Sequence, residues 1–210
     1  MKVPMWHVEY TGTLLVLFMI GLFMIPTSFE STVMASNITK WKDVFKRLTY
    51  AQDVILKQEQ SQILTSFNRA KTPEEREDIV IKIIKPYFRV SDKKVYKKYK
   101  VRYMNKKPVN SGDFYYIDDY YYAGKSLIVG IKNIPADAKG EDSFLMTFDI
   151  NGRKRPNRWG IDIYGVNVYG DKVEAIGKND TVEKQYEDCS KAGTGTSCSN
   201  YYLIGGNFDD

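Results

Sequence analysis

Residues 5–26, MWHVEYTGTLLVLFMIGLFMIP, constrain this chain more than any other stretch: an apolar run that carries one carboxylate, Glu9, and ends in a proline. A charged side chain within a greasy helix costs kcal/mol in lipid unless a partner neutralises it, so the run reads as a helix built to meet something. Residues 12–25 alone make about 21 Å of helix at ~1.5 Å per residue, short for a hydrocarbon core of roughly 30 Å; adding 5–11 makes the segment long enough to span. A removable secretory signal competes, with its apolar region at 14–25 and cleavage after Val33-Met34-Ala35. Against it, Lys2 is the only basic residue ahead of the run, and the distance from Ile25 to Ala35 is long for a cleavage region. A plain signal anchor is the third reading, and all three export the bulk of the chain.

The remaining roughly 180 residues suffice for one compact domain with a real core. The mean hydropathy of −0.42 averages this polar body with the apolar run. The two cysteines, Cys189 and Cys198, stand close together in DCSKAGTGTSCSN. In an oxidising compartment they read as one disulfide closing a loop, stabilising by about 2.5 kcal/mol through loop-closure entropy. Zinc would need four ligands, and the only histidine, His7, lies far away in the apolar run.

After Pro26, Trp41, Val44, Phe45, Leu48, Ala51, Ile55 and Gln62 recur at steps of three and four, predicting a helix whose apolar stripe packs on a head. A second helix is expected from Thr72, with Pro73 at its first position and acids in its first turns, running to Lys85 before Pro86. Short β-branched or aromatic runs at 99–104, 114–122, 127–131, 144–150, 161–168 and 173–176 predict an antiparallel sheet with one covered face. The segment FDINGRKRPNRWGIDIYG gathers Asp149, Asn151, Asn157 and Asp162 around glycines. Short oxygen-bearing side chains so spaced can surround a hard cation, but Gly160 holds the place where an EF-hand needs a glutamate, and four cations crowd the stretch. A turn stabilised by Asx hydrogen bonds is the competing reading, and the favoured one.

The apolar run resembles the stem of type IV pilins and type II secretion pseudopilins. In that bacterial family a short leader is removed, a glutamate lies four residues beyond the new first residue, and a proline seventeen beyond that. Removal of residues 1–4, between Pro4 and Met5, would put Glu9 and Pro26 in those places; Pro4 stands where the family has glycine. The motif D-x-N-G-x-x-x-P-N-x-x-G-x-D, the aromatic DFYYIDDYYYAGKSLIVGI and the cysteine pair before YYLIGGN resemble the family's C-terminal half. The resemblance implies an α+β pilin-like fold: leader 1–4, hydrophobic transmembrane and assembly helix 5–26, its soluble continuation 27–66, and an antiparallel head 67–210 ending in the disulfide loop. It also implies a structural calcium in the head, with Asp149, Asn151, Asn157 and Asp162 as candidate ligands. The implied role is a structural subunit of a type IV pilus-like or type II secretion pseudopilus filament. Such a subunit is held in the inner membrane by one helix, its head extracytoplasmic, and reaches the periplasm or cell surface on assembly. Its partners would be like subunits, other pilins, the lipid bilayer and the inner-membrane assembly machinery. Glu9 would meet the amino terminus of a neighbouring processed chain, the partner that a buried carboxylate requires.

Charge is divided along the chain: residues 38–108 hold 19 Lys/Arg against 8 Asp/Glu, and 109–210 hold 11 against 16. Opposite fields on one subunit favour head-to-tail contacts. The cluster KKVYKKYKVRYMNKK makes Lys93, Lys94, Lys97, Lys98 and Lys100 a candidate surface for an anionic partner such as DNA, with tyrosines as stacking platforms. A sheet edge protected by lysines explains it as well. The second class of function is therefore a membrane-tethered or secreted extracytoplasmic module that binds DNA, carbohydrate or a protein surface and does not polymerise. An enzyme is disfavoured: no head histidine can serve either cysteine as a base, and no glycine-rich phosphate loop follows a strand.

Overall fold

The computed structural model describes residues 5–70, 72–95, 99–134, 143–169 and 172–208; the side chains of 5–9, 11, 21–31, 55–69, 73 and 92–94 fall outside that description. Pro4, Lys97 and Lys98 therefore lie outside the described residues, as do the side chains of Met5, Glu9, Lys93 and Lys94.

Helix α1, Met5–Arg69, runs unbroken through Pro26 and both expected stem segments. Its buried positions Met34, Asn37, Trp41, Val44, Leu48 and Ala51 alternate steps of three and four, which lines one face of a 3.6-residue helix. Among the described residues no helix is long and apolar enough to cross a membrane. The hydrophobic spanning helix expected over 5–26 is thus not found as such among the described residues.

Helix α2, Pro73–Phe88, begins as its sequence dictates: Thr72 Oγ1 accepts the Glu75 N–H at 3.2 Å, Pro73 takes the first position, and Glu74 and Glu75 face the positive end of the dipole. It continues past the expected stop at Lys85. Pro86 sits in the last turn, where Phe88, buried in the core, holds the helix on and the Arg89 N–H closes it on Lys85 O at 2.8 Å.

Six strands follow: β1 Val90–Lys94, β2 Asp119–Ala123, β3 Leu127–Ile134, β4 Ser143–Asp149, β5 Ile163–Val168 and β6 Val173–Ala175. Each pairs antiparallel with the next, giving a meander in sequence order. The protein is α+β. The run expected as a strand at 99–104 is not one; it forms a tight hairpin with single bridges from Arg102 to Pro108 and Arg158. The strand it displaces, β1, is a sheet edge with the polar sequence VSDKK, which carries no apolar alternation to betray it. Lys93 and Lys94 stand on this edge, where lysines oppose edge-to-edge pairing.

The sheet is covered on both faces, not one. Every residue of β4 is buried, with Phe144, Met146 and Phe148 toward α1 and α2, and Leu145 in the opposite cluster with Val101, Ile117 and Trp159. That second layer is supplied by the irregular connection between β1 and β2 together with the loop after β4. Gly130 on β3 and Gly165 on β5 flank Thr147 on β4. A Cβ at Gly130 would lie 2.7 Å from the Tyr120 ring, and one at Gly165 would lie 2.7 Å from the Trp159 ring. The missing side chains are the space in which the two aromatics rest.

Beyond the sheet, α3 Val182–Asp188 and α4 Cys198–Tyr201 are joined by the Cys189–Cys198 disulfide. Trp41 fixes this unit to α1: its Nε1–H donates to Ser199 O at 2.8 Å, and its ring stacks on Tyr164 with centroids 5.1 Å apart. Trp41→Ala should destabilise the fold by about 3–5 kcal/mol, and Trp41→Phe by a smaller amount that reflects the orphaned Ser199 carbonyl, about 1–3 kcal/mol. Denaturant unfolding checks both; equal losses would remove the hydrogen bond from the account.

Candidate functional site

The four residues picked out as a cation loop do come together. The loop from Asp149 to Ile163 leaves β4 and re-enters as β5, and Asn37 of α1 pins it by donating to Ile161 O at 3.0 Å. Asp149 is 2% exposed and Asp162 is 0% exposed. Asp149 Oδ1 accepts the N–H groups of Asn151 at 3.0 Å and Gly152 at 2.8 Å, an Asx turn that Gly152 permits with its positive φ of 70°. The Tyr99 hydroxyl donates to Asp149 Oδ2. Asp162 Oδ2 accepts from Asn151 Nδ2 at 3.0 Å and from the Asn157 N–H at 2.9 Å, while Oδ1 accepts the Arg158 N–H at 2.5 Å.

All four carboxylate oxygens are therefore filled by N–H or O–H donors. A calcium ion takes six to eight oxygens. Of the four residues' side chains, the loop leaves bare Asn151 Oδ1 and Asn157 Oδ1, both buried without a partner among the described residues. No group of three or more His, Cys, Asp or Glu that could hold a metal occurs among those residues either. As arranged, Asp149, Asn151, Asn157 and Asp162 do not fit calcium; they are the internal hydrogen-bond frame of the connection between β4 and β5.

Burial dominates the electrostatics of this frame. It pushes Asp149 up to about 8, opposed by the Tyr99 hydroxyl and the two turn N–H groups and reinforced by the charge of Asp162. Burial also raises Asp162, against the Arg158 and Asn157 N–H groups, the Asn151 amide and the Arg158 charge. Tyr99 is held protonated far above the ordinary phenol range by its own burial and by Asp149.

A second polar frame lies under the disulfide. Asp188, at the end of α3, accepts from the Thr194 N–H and Ser197 N–H at 2.8 and 2.9 Å and from the Thr194 hydroxyl at 2.6 Å. Gln185 is buried on α3, donating to Asp180 O at 2.8 Å and accepting from Asn200 Nδ2 at 3.0 Å. The sequence reading missed this helix. Its signal was Thr181, whose Oγ1 accepts the Lys184 N–H as an N-cap, with Glu183 in the first turn.

Two surfaces lack such internal satisfaction. On α1 the consecutive residues Leu14, Leu15, Val16, Leu17, Phe18 and Met19, followed by Ile20, are exposed by 48–67%. On the head, the exposed Lys100 belongs to a hairpin whose tyrosines turn inward: Tyr99 meets Tyr120 at 4.6 Å between ring centroids. Lys100 is joined to the other four lysines of its candidate group by no described contact.

The chain matches no protein-family model, no curated protein and no solved structure. Its function has to be argued from these surfaces and from the sequence.

The raised value of Asp149 fixes a sign. Its folded-state affinity for the proton exceeds that of an ordinary aspartate in the unfolded chain, which titrates near 3.8, so its contribution is fully present below about pH 4 and is lost as pH rises through about 8. Asp149→Asn, which keeps an acceptor for the Asn151 and Gly152 N–H groups, should flatten the fall of the denaturation midpoint between about pH 4 and 8. An unchanged pH profile would show that this carboxyl carries no raised affinity. Calcium or a chelator should leave the wild-type midpoint unmoved, whereas stabilisation by calcium would show a loop able to reopen as a cage.

Proposed function

We propose that the protein is a structural subunit of a type IV pilus-like or type II secretion pseudopilus filament. The observation that carries this reading is the bare stretch of α1. A helix that is apolar on every side requires a core or a lipid phase around it, and here the consecutive apolar residues 14–20 are left exposed among the described residues. The same helix becomes a wall of the head at Trp41 and Leu48 without a break. Stem and head are thus one rod, so packing of stems would fix the spacing of heads.

In this reading the stem is held in the membrane before assembly and stripped into a bundle of like stems afterwards. Residues 5–26 make about 33 Å of helix at ~1.5 Å per residue, enough for either state. Glu9 sits near the start of the rod, where the amino terminus of a processed neighbour would neutralise it. The antiparallel head, the internally hydrogen-bonded loop between β4 and β5 and the disulfide would supply the extracytoplasmic body.

Mass spectrometry of the native protein tests the processing that this role entails: a chain beginning at Met5 is expected, and one beginning at Ser36 would mean secretion without a stem. Glu9→Ala should leave membrane insertion intact and lower filament yield at least several-fold. Unchanged yield, or a native protein that stays monomeric in the membrane, would replace the filament by a static tether.

A further inference from the structure

We propose that a cationic face built from residues 100–107 and 153–158 binds the phosphodiester backbone of a nucleic acid. The first segment contributes Lys100, Arg102, Lys106 and Lys107. The second contributes Arg153, Lys154, Arg155 and Arg158. Far apart in the chain, they are joined by backbone hydrogen bonds: the Arg102 N–H donates to Asn157 O at 3.0 Å, and the Trp159 N–H to Arg102 O at 2.9 Å.

This geometry makes Arg102 and Arg158 partners in a parallel bridge. Bridge partners send their side chains to the same face from backbones about 5 Å apart. Like charges so placed destabilise a pairing, so the fold carries a local repulsion that an anion would relieve. Nothing acidic relieves it from within: neither segment contains Asp or Glu, and none of the eight cations forms an ion pair among the described residues. Asp162 feels the charge of Arg158, but it is fully buried with both oxygens occupied by N–H donors. Two of the cations are held in place by other means. Arg102 Nη1 donates to Lys106 O at 3.1 Å, and the Arg153 guanidinium lies 4.8 Å from the centre of the Tyr122 ring.

The number of charges selects the partner. A second copy of this chain is a poorer match: the acidic first turns of α2 carry Glu74, Glu75, Glu77 and Asp78, half as many charges as the two cationic segments, and Glu75 and Glu77 are already engaged. Duplex DNA presents a phosphate about every 1.7 Å of axis, a continuous row of anions for the Arg102–Arg158 pair and the cations that flank it in the two segments. Tyr99 does not serve as a stacking platform, because it is tied to Asp149 and Tyr120 beneath the hairpin. Recognition is therefore of the backbone and independent of base sequence. The inference does not rest on filament assembly.

The test uses the full chain in neutral detergent, titrated against a fluorescently labelled DNA duplex, with anisotropy read across a salt series. Binding is expected to weaken linearly in log–log form with salt. Arg102→Ala with Arg158→Ala should weaken it by about tenfold or more and reduce the salt slope by about 2. Lys178→Ala with Lys184→Ala, which removes cations already paired to Glu174 and Asp180, should change neither. Circular dichroism on each variant confirms that it is folded. Absence of binding at low salt, an equal loss in the two double variants, or polyglutamate competing as well as unlabelled duplex would overturn the proposal, the last in favour of an acidic protein surface.

Discussion

The indole of Trp41 is the contact on which the head depends. It is fully enclosed, stacked on Tyr164 of β5, near Phe148 of β4, and hydrogen-bonded through Nε1 to the carbonyl of Ser199 in α4. One side chain thereby joins the long helix, the centre of the sheet and the disulfide unit. A purely apolar residue could fill the space but would leave a buried carbonyl without a donor, and a small one would open a cavity between three elements.

From that anchor the sheet is built as a middle layer. Phe144, Met146 and Phe148 alternate with Leu145, Thr147 and Asp149, and both sets are buried. The second cover is irregular backbone rather than helix, which demands that its polar groups be met locally. Asp149 and Asp162 answer this demand by accepting N–H and O–H donors from their own loop and from Tyr99. They look like a metal site in sequence because the residues that best satisfy a tight turn are those that best ligate a hard cation. In three dimensions the oxygens are already taken.

Two features fall outside this internal economy of contacts. Among the described residues, the apolar side chains at 14–20 of α1 are left exposed, and none of the eight cations at 100–107 and 153–158 forms an ion pair. They lie on different parts of the chain, and the partners proposed for them differ: lipid or like helices for one and an anionic polymer for the other.

The sequence by itself determined the helical face at 41–51, the start of α2, five of the six strands, the pairing of Cys189 with Cys198 and the grouping of the residues from Asp149 to Asp162. Each of these rests on a local rule, such as spacing along a helix, a cap, alternation along a strand or closure of a short loop, and such rules act between residues near in the chain. The stop of α2 at Lys85 was misread because burial of Phe88 outweighed Pro86. The hairpin at 99–109 was misread because its alternation serves a layer lying across the sheet instead of a strand within it. Only the tertiary structure decided that the sheet has two covers, that Gly130 and Gly165 make room for Tyr120 and Trp159, that the acidic loop is saturated by its own donors, and that Arg102 stands beside Arg158. Those outcomes depend on what arrives from distant parts of the chain to occupy a face, an oxygen or a gap, and a linear pattern specifies the vacancy without naming its occupant.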